Sequence, residues 1–126
     1  MIRYAYNAQK EPPAPFILVT LRHPYSGAEL SDVPAQLDTG ADQSLVPLAM
    51  AQALSLLHTG EVEVGGVGGA FKFMERYGVL IAIHTFPPRL VEVLSHPGEP
   101  WVLLGRDVLN HHRLILDGPR LALEIG

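Results

Sequence analysis

The sequence predicts an all-β domain, and three observations carry that prediction. Eleven prolines and twelve glycines cut the chain into short apolar runs, the punctuation expected of many short strands joined by turns. Apolar and polar side chains alternate on both sides of the glycine-rich tip Gly65-Gly66-Val67-Gly68-Gly69 and again near the C-terminus, as the arms of hairpins do. Little of the chain carries a helical pattern.

Taken in order, Phe16–Arg22 reads as a strand after a proline-rich entry, residues 24–27 as a turn, and residues 28–38 as a second strand interrupted near Pro34. Residues 47–56 read as a short helix, because proline is tolerated at a first helical position and Ala49, Met50, Ala51, Gln52 and Leu54 are good helix formers. Residues 61–64 and 70–73 form the arms of a hairpin, and residues 77–85 and 90–94 are further strands. Residues 101–104 are a buried strand running into Gly105, and a short helix follows over 106–111. Residues 113–116 and 121–125 form a last hairpin over Asp117-Gly118-Pro119, with Leu121, Leu123 and Ile125 on one face and Ala122 and Glu124 on the other. No repeat or linker is visible. The reading is a single domain over residues 1–126, of which 1–14 are a proline-rich N-terminal segment.

Composition narrows the function classes. A chain of 126 residues builds one core and buries roughly two thirds of its extended surface. Hydrophobic residues at 48% and charged residues at 17% describe a globular protein. The absence of cysteine excludes disulfides, thiolate catalysis and cysteine-rich zinc sites, and fits a reducing compartment; a cytoplasmic location is the expectation. Arg3, Lys10, Glu11 and the early prolines make the start neither a signal peptide nor a spanning helix, and no other apolar run approaches membrane length. A formal charge of −4 without a basic run argues against nucleic acid. No His-Glu-x-x-His spacing exists, and the adjacent His111 and His112 point apart on a helix, so neither a metal nor another cofactor is expected. There is no Gly-x-Ser-x-Gly elbow of a serine hydrolase.

The chemistry concentrates at Asp38-Thr39-Gly40, where an apolar strand delivers an acid, a hydroxyl and a glycine into a tight turn. An isolated carboxylate at neutral pH is a poor base and no acid. Two carboxyls side by side share one proton, so one can act as base while the other acts as acid. Gly40 is read as letting the turn adopt backbone angles that a side chain would forbid, and as letting its N–H approach the carboxylate. Taken alone, Asp-Thr-Gly is also an ordinary turn. The glycine-rich tip is not a phosphate loop, because Ala70-Phe71-Lys72-Phe73 continues as a strand where such a loop needs Lys-Ser/Thr and a helix; a flexible loop without function is the bland alternative.

Asp38-Thr39-Gly40, the glycine-tipped hairpin and Leu103-Leu104-Gly105-Arg106-Asp107, in that order, resemble the retropepsin-like aspartic proteases over about residues 16–116. The resemblance implies a single-lobe acid protease fold with a flap hairpin and one or two short helices, working as a homodimer. Asp38, Thr39 and Gly40 would be the catalytic turn, with Thr39 hydrogen-bonding across the dimer axis. Asp42 and Arg106 would form an ion pair behind it. Ala41, Gln43, Gly65, Gly66, Val67, Gly68, Trp101 and Leu103 would bind substrate and prefer hydrophobic residues beside the scissile bond; Trp101 reads equally as a core residue. Ala41 stands where many pepsin-like enzymes have serine, which implies a mildly acidic optimum. Partners would be a second copy and a peptide or protein substrate, with no nucleic acid or membrane. Retroviral enzymes interleave both termini in their dimer sheet, whereas here the regular apolar face of residues 121–125 is expected to contribute to the subunit interface. The alternatives are a weak or inactive peptide-binding module of the same fold, and a protease confined to its own precursor or one partner.

Overall fold

The computed structural model describes residues 1–65 and 67–126, Val67 by its backbone alone. Its strands are β1 (Ile2–Ala5), β2 (Phe16–Arg22), β3 (Glu29–Leu37), β4 (His58–Gly65), β5 (Phe71–Ala82), β6 (Arg89–Ser95), β7 (Val102–Leu104), β8 (Leu114–Asp117) and β9 (Ala122–Ile125), with short helices α1 (Leu48–Ala53) and α2 (Arg106–Leu109). The larger sheet runs β4-β5-β2-β3-β7 with β6 paired to β5, and a second sheet runs β1-β9-β8. The fold is the all-β one that the sequence predicts.

Alternation decides which way each strand faces. Ile17, Val19 and Leu21 of β2, Val33, Ala35 and Leu37 of β3, Val79 and Ile81 of β5, and Val91 and Val93 of β6 enter one core with Val102 and Leu104 of β7. Each valine, leucine or isoleucine among them contributes about 1.5–3 kcal/mol by leaving water. β3 is clamped on both edges at its C-terminal end: β2 pairs antiparallel with it, and β7 pairs parallel through Ala35↔Val102, Gln36↔Leu103 and Leu37↔Leu104. The residue that follows, Asp38, is therefore delivered from a strand end paired on both sides.

The structure corrects several boundaries. Pro34 does not interrupt β3, because β7 covers only residues 35–37 and the missing N–H falls where the strand has one open edge. Residues 70–73 and 77–85 are not separate strands. β5 is continuous through Met74, Glu75 and Arg76, which pair with β4 on one side while Glu75 and Arg76 also pair with β6 on the other. α1 stops at Ala53, short of residue 56, and Ser55 then takes a left-handed φ of 50°. α2 ends at Leu109 rather than 111.

The proline-rich segment over residues 1–14 contains a strand: β1 pairs antiparallel with β9 from Ile2↔Ile125 to Ala5↔Ala122. Leu121 is not part of β9. It has φ 49° and is 43% exposed, and only Leu123 and Ile125 face inward. Those two are buried in the chain's own core, and β9 has strands on both edges. The regularity of that apolar face is thus explained within one chain, and the argument that made the last strand a subunit interface does not hold.

Candidate active site

Asp38 follows β3 directly, and its N–H donates to the Leu104 carbonyl at 2.9 Å, which continues the β3–β7 pairing into the turn. The turn closes with the Ala41 N–H on the Asp38 carbonyl at 3.2 Å. The Gly40 N–H donates to Asp38 Oδ1 at 3.1 Å. Gly40 is not in a left-handed conformation, so its expected backbone role is corrected. A Cβ there would meet Asp38 Oδ1 at 3.4 Å, at the edge of ordinary contact, so neither φ nor space demands glycine at this position. Asp38 is half-buried and Thr39 is exposed. Among the described residues no cation pairs with Asp38, and no hydrogen bond engages the Thr39 hydroxyl.

The turn is held from behind by residues 102–107. Leu45 and Leu103 exchange two backbone bonds of 2.9 Å, and the Arg106 N–H donates to the Ala41 carbonyl at 2.9 Å. Arg106 Nη1 donates to the Thr39 carbonyl at 2.9 Å, and Nη2 pairs with Asp42. That ion pair exists as the resemblance implies. Its side chains are nevertheless 41% and 84% exposed, and exposed pairs stabilise by about 0–1 kcal/mol.

The buried fastening was missed by sequence reasoning. The Ser44 N–H and Oγ donate to the two oxygens of Asp107 at 2.9 and 2.7 Å, and the Gly105 N–H donates to Ser44 Oγ at 3.0 Å. Ser44 has no exposed surface. The one available signal was a second acid directly after Arg106.

A cleft of about 530 Å³ opens beside the turn, with Gly40, Ala41, Asp42, Gln43 and Leu45 on one wall, Val62, Glu63, Val64, Gly65 and Met74 on the hairpin opposite, and Leu94 at the base. The structure thus brings Ala41, Gln43 and Gly65 together with the Asp38 turn. Gly66 and the Val67 side chain lie outside the described residues. Gly68 sits at the hairpin tip with φ 83° and is not a lining residue. Trp101 and Leu103 are not on the cleft wall either. Trp101 is half-buried, its Nε1–H donates to Gln36 Oε1 at 2.9 Å, Phe16 packs against it edge-on at 5.9 Å, and the Lys10 ammonium lies 3.4 Å over its ring. The apolar lining residues Val62, Val64 and Met74 were legible only as hairpin alternation. Elsewhere, ligand atoms of His58, Glu61 and Glu75 lie within 4.8 Å of one another at the foot of the hairpin. There the Tyr77 hydroxyl donates to Glu75 Oε2 at 2.6 Å, and this bond to the carboxylate, helped by burial, pushes the tyrosine up to about 12.

An Asp-Thr-Gly turn backed by a parallel apolar-apolar-Gly strand and faced by a hairpin defines a single lobe of the acid protease type. The family model described as retroviral aspartyl protease matches residues 13–117, and the chain belongs to that family. Among solved structures, the EIAV protease complexed with the inhibitor HBY-793 is 25% identical, with a TM-score of 0.54 over 86% of this chain and 93% of that one. A retropepsin-like aspartic protease from Rickettsia conorii is 16% identical, with a TM-score of 0.64 over 97% and 86%. The retroviral protease-like domain of Ddi1 from Leishmania major is 17% identical, with a TM-score of 0.52 over 87% of each chain. The latter two show the shared fold. No curated protein matches the chain.

Proposed function

We propose that the protein is a homodimeric aspartic endopeptidase in which the Asp38 carboxyls of two copies activate one water. The observation that carries this reading is the half-site itself: a half-buried carboxyl on a doubly clamped strand end, one oxygen held by the Gly40 N–H, with no cation paired to it among the described residues and a cleft lined by both apolar and acidic side chains beside the turn. A second such carboxyl brought against the first would share its proton. The ionised member takes a proton from the water as it attacks the scissile carbonyl, the protonated member donates to the carbonyl oxygen, and proton return to the nitrogen releases the amine. The Thr39 hydroxyl, which makes no hydrogen bond among the described residues, and the buried Ser44–Asp107 fastening suit two turns meeting at a two-fold axis.

Leu45, Val62, Val64, Met74 and Leu94 along the cleft support a preference for hydrophobic residues beside the cleaved bond. The hairpin opposite closes over an extended peptide on this reading. Cleavage in a reducing, cytoplasmic setting suits a chain without cysteine.

The test is Asp38→Asn, which keeps shape and removes the ionisable group. Cleavage of a peptide library falls by about 10²–10⁴-fold or more, while the circular dichroism spectrum and sedimentation are unchanged. A variant that cleaves as fast as the parent protein eliminates the reading.

A further inference from the structure

At the foot of the β4–β5 hairpin, strand pairing sets two like charges against each other. Glu61 stands directly opposite Glu75, and directly opposed like charges destabilise a sheet. Among the described residues neither carboxylate has an ion-pair partner. Lys72 and Arg76, the cations of β5, alternate onto its other face, and Arg76 pairs with Glu92. Pairing of β6 with β5 begins at Glu75, so this acidic pair marks the point beyond which the hairpin is two-stranded.

An imidazole joins the pair because of a bulge. Glu61 is opposite Glu75 and Gly60 opposite Arg76, but His58 is opposite Tyr77, so β4 uses two residues where β5 uses one. The extra residue turns His58 onto the face of Glu61, where strict alternation would point it away. The His58 ring packs edge-on against Tyr77 with centroids 5.4 Å apart, and the Tyr77 hydroxyl donates to Glu75 Oε2 at 2.6 Å. One aromatic side chain thus orients both an imidazole and a carboxylate, the kind of outer support that metal ligands have. Ligand atoms of His58, Glu61 and Glu75 all lie within 4.8 Å of one another.

We propose that His58, Glu61 and Glu75 form a binding site for a divalent transition cation of the zinc type, which joins β4 to β5 at the foot of the hairpin. One imidazole nitrogen and two carboxylate oxygens are donors that zinc takes, with water completing a tetrahedron. The imidazole is what separates this cluster from an acidic patch, and it selects against magnesium and calcium, which prefer sets of oxygen alone. At bond lengths near 2.1 Å the ligand atoms around zinc stand about 3.4 Å apart, so the side chains close by little more than about 1 Å, which the exposed His58 and Glu61 reach by small rotations. Glu61 and Glu75 line a cleft of about 250 Å³, closed on its other side by Leu48, Ser95 and Pro97, that admits the ion and its water. The bound charge offsets the repulsion between Glu61 and Glu75, and the cross-link stiffens the hairpin. None of this depends on the catalytic reading of Asp38.

Calorimetric titration with zinc chloride tests the site in the full-length Asp38→Asn protein, in which no acid pair competes for the metal. About one ion binds per chain and the thermal midpoint rises. Added to that protein, His58→Gln, Glu61→Gln or Glu75→Gln weakens binding by at least tenfold and erases the shift. Tyr77→Phe, which deletes only the hydroxyl that holds Glu75, weakens it by about tenfold, whereas His111→Gln, which removes an exposed imidazole elsewhere, changes nothing. Glu61→Gln also raises the midpoint of the metal-free protein, because the opposed charge is gone, so its loss of binding is not a loss of fold. Magnesium chloride at the same concentration produces no shift. Zinc that does not bind in the micromolar range overturns the proposal, as does zinc that binds the Glu61→Gln and His58→Gln proteins as tightly as their parent. Metal binding is read apart from cleavage, so the site and the catalytic reading fail separately.

Discussion

Gly105 is the position at which a single methyl group would do most damage. A Cβ there would stand 2.8 Å from the Gln43 carbonyl carbon, 2.9 Å from its oxygen and 3.0 Å from the Ala41 carbonyl, and all three are backbone atoms of the segment that carries Asp38. Its φ of −90° is ordinary, so space rather than conformation demands glycine. Gly105→Ala destabilises the protein by about 1–3 kcal/mol through overpacking, read as a lower urea midpoint with an unchanged slope. Asp38 was legible in the sequence because acid, hydroxyl and glycine sit together after an apolar strand. Ser44 and Asp107 were not, because their bond joins distant segments and neither residue is locally unusual.

The hairpin of β4 and β5 shows how conformation is set at the scale of an element. Gly68 and Gly69 hold φ of 83° and 77° with open space around them, so a side chain there is opposed by backbone strain of about 1–2 kcal/mol per residue rather than by contacts. The pair Gly68→Ala with Gly69→Ala shifts the preferred shape of the tip. It lowers kcat/KM for peptide cleavage several-fold while the thermal midpoint of the main sheet changes little, measured by steady-state kinetics beside circular dichroism melting. Alternation made most strands legible, and β2 falls on its predicted bounds. β5 was not legible as one strand, because Glu75 and Arg76 look like a solvated break until strands flank them on both sides. β1 was hidden because Arg3 and the prolines beyond it outweigh a four-residue pattern whose justification is β9, at the opposite end of the sequence.

For the molecule as a whole, stability depends on acidity through His112. It is half-buried against Phe86, with ring centroids 4.9 Å apart. Burial first, then the charges of Arg89 and His111, hold its imidazole below the usual range, against a smaller opposing effect of the Gly126 carbonyl. The unfolded chain therefore takes up this proton near the ordinary value of 6.5 while the folded one resists. The stabilisation is present above about pH 6.5 and is lost as pH falls toward the folded value. Urea denaturation between pH 7.5 and 5 accordingly shows a steeper loss for the parent protein than for His112→Gln, whatever the offset between them at neutral pH. The same long-range construction shapes the turn that bears Asp38. The turn bearing the acid is completed by a carbonyl at Leu104, and the first strand waits for the last. The geometry of the turn is thus set by contacts between segments far apart in the sequence, so a chain cut before Leu104 leaves Asp38 without its backing strand.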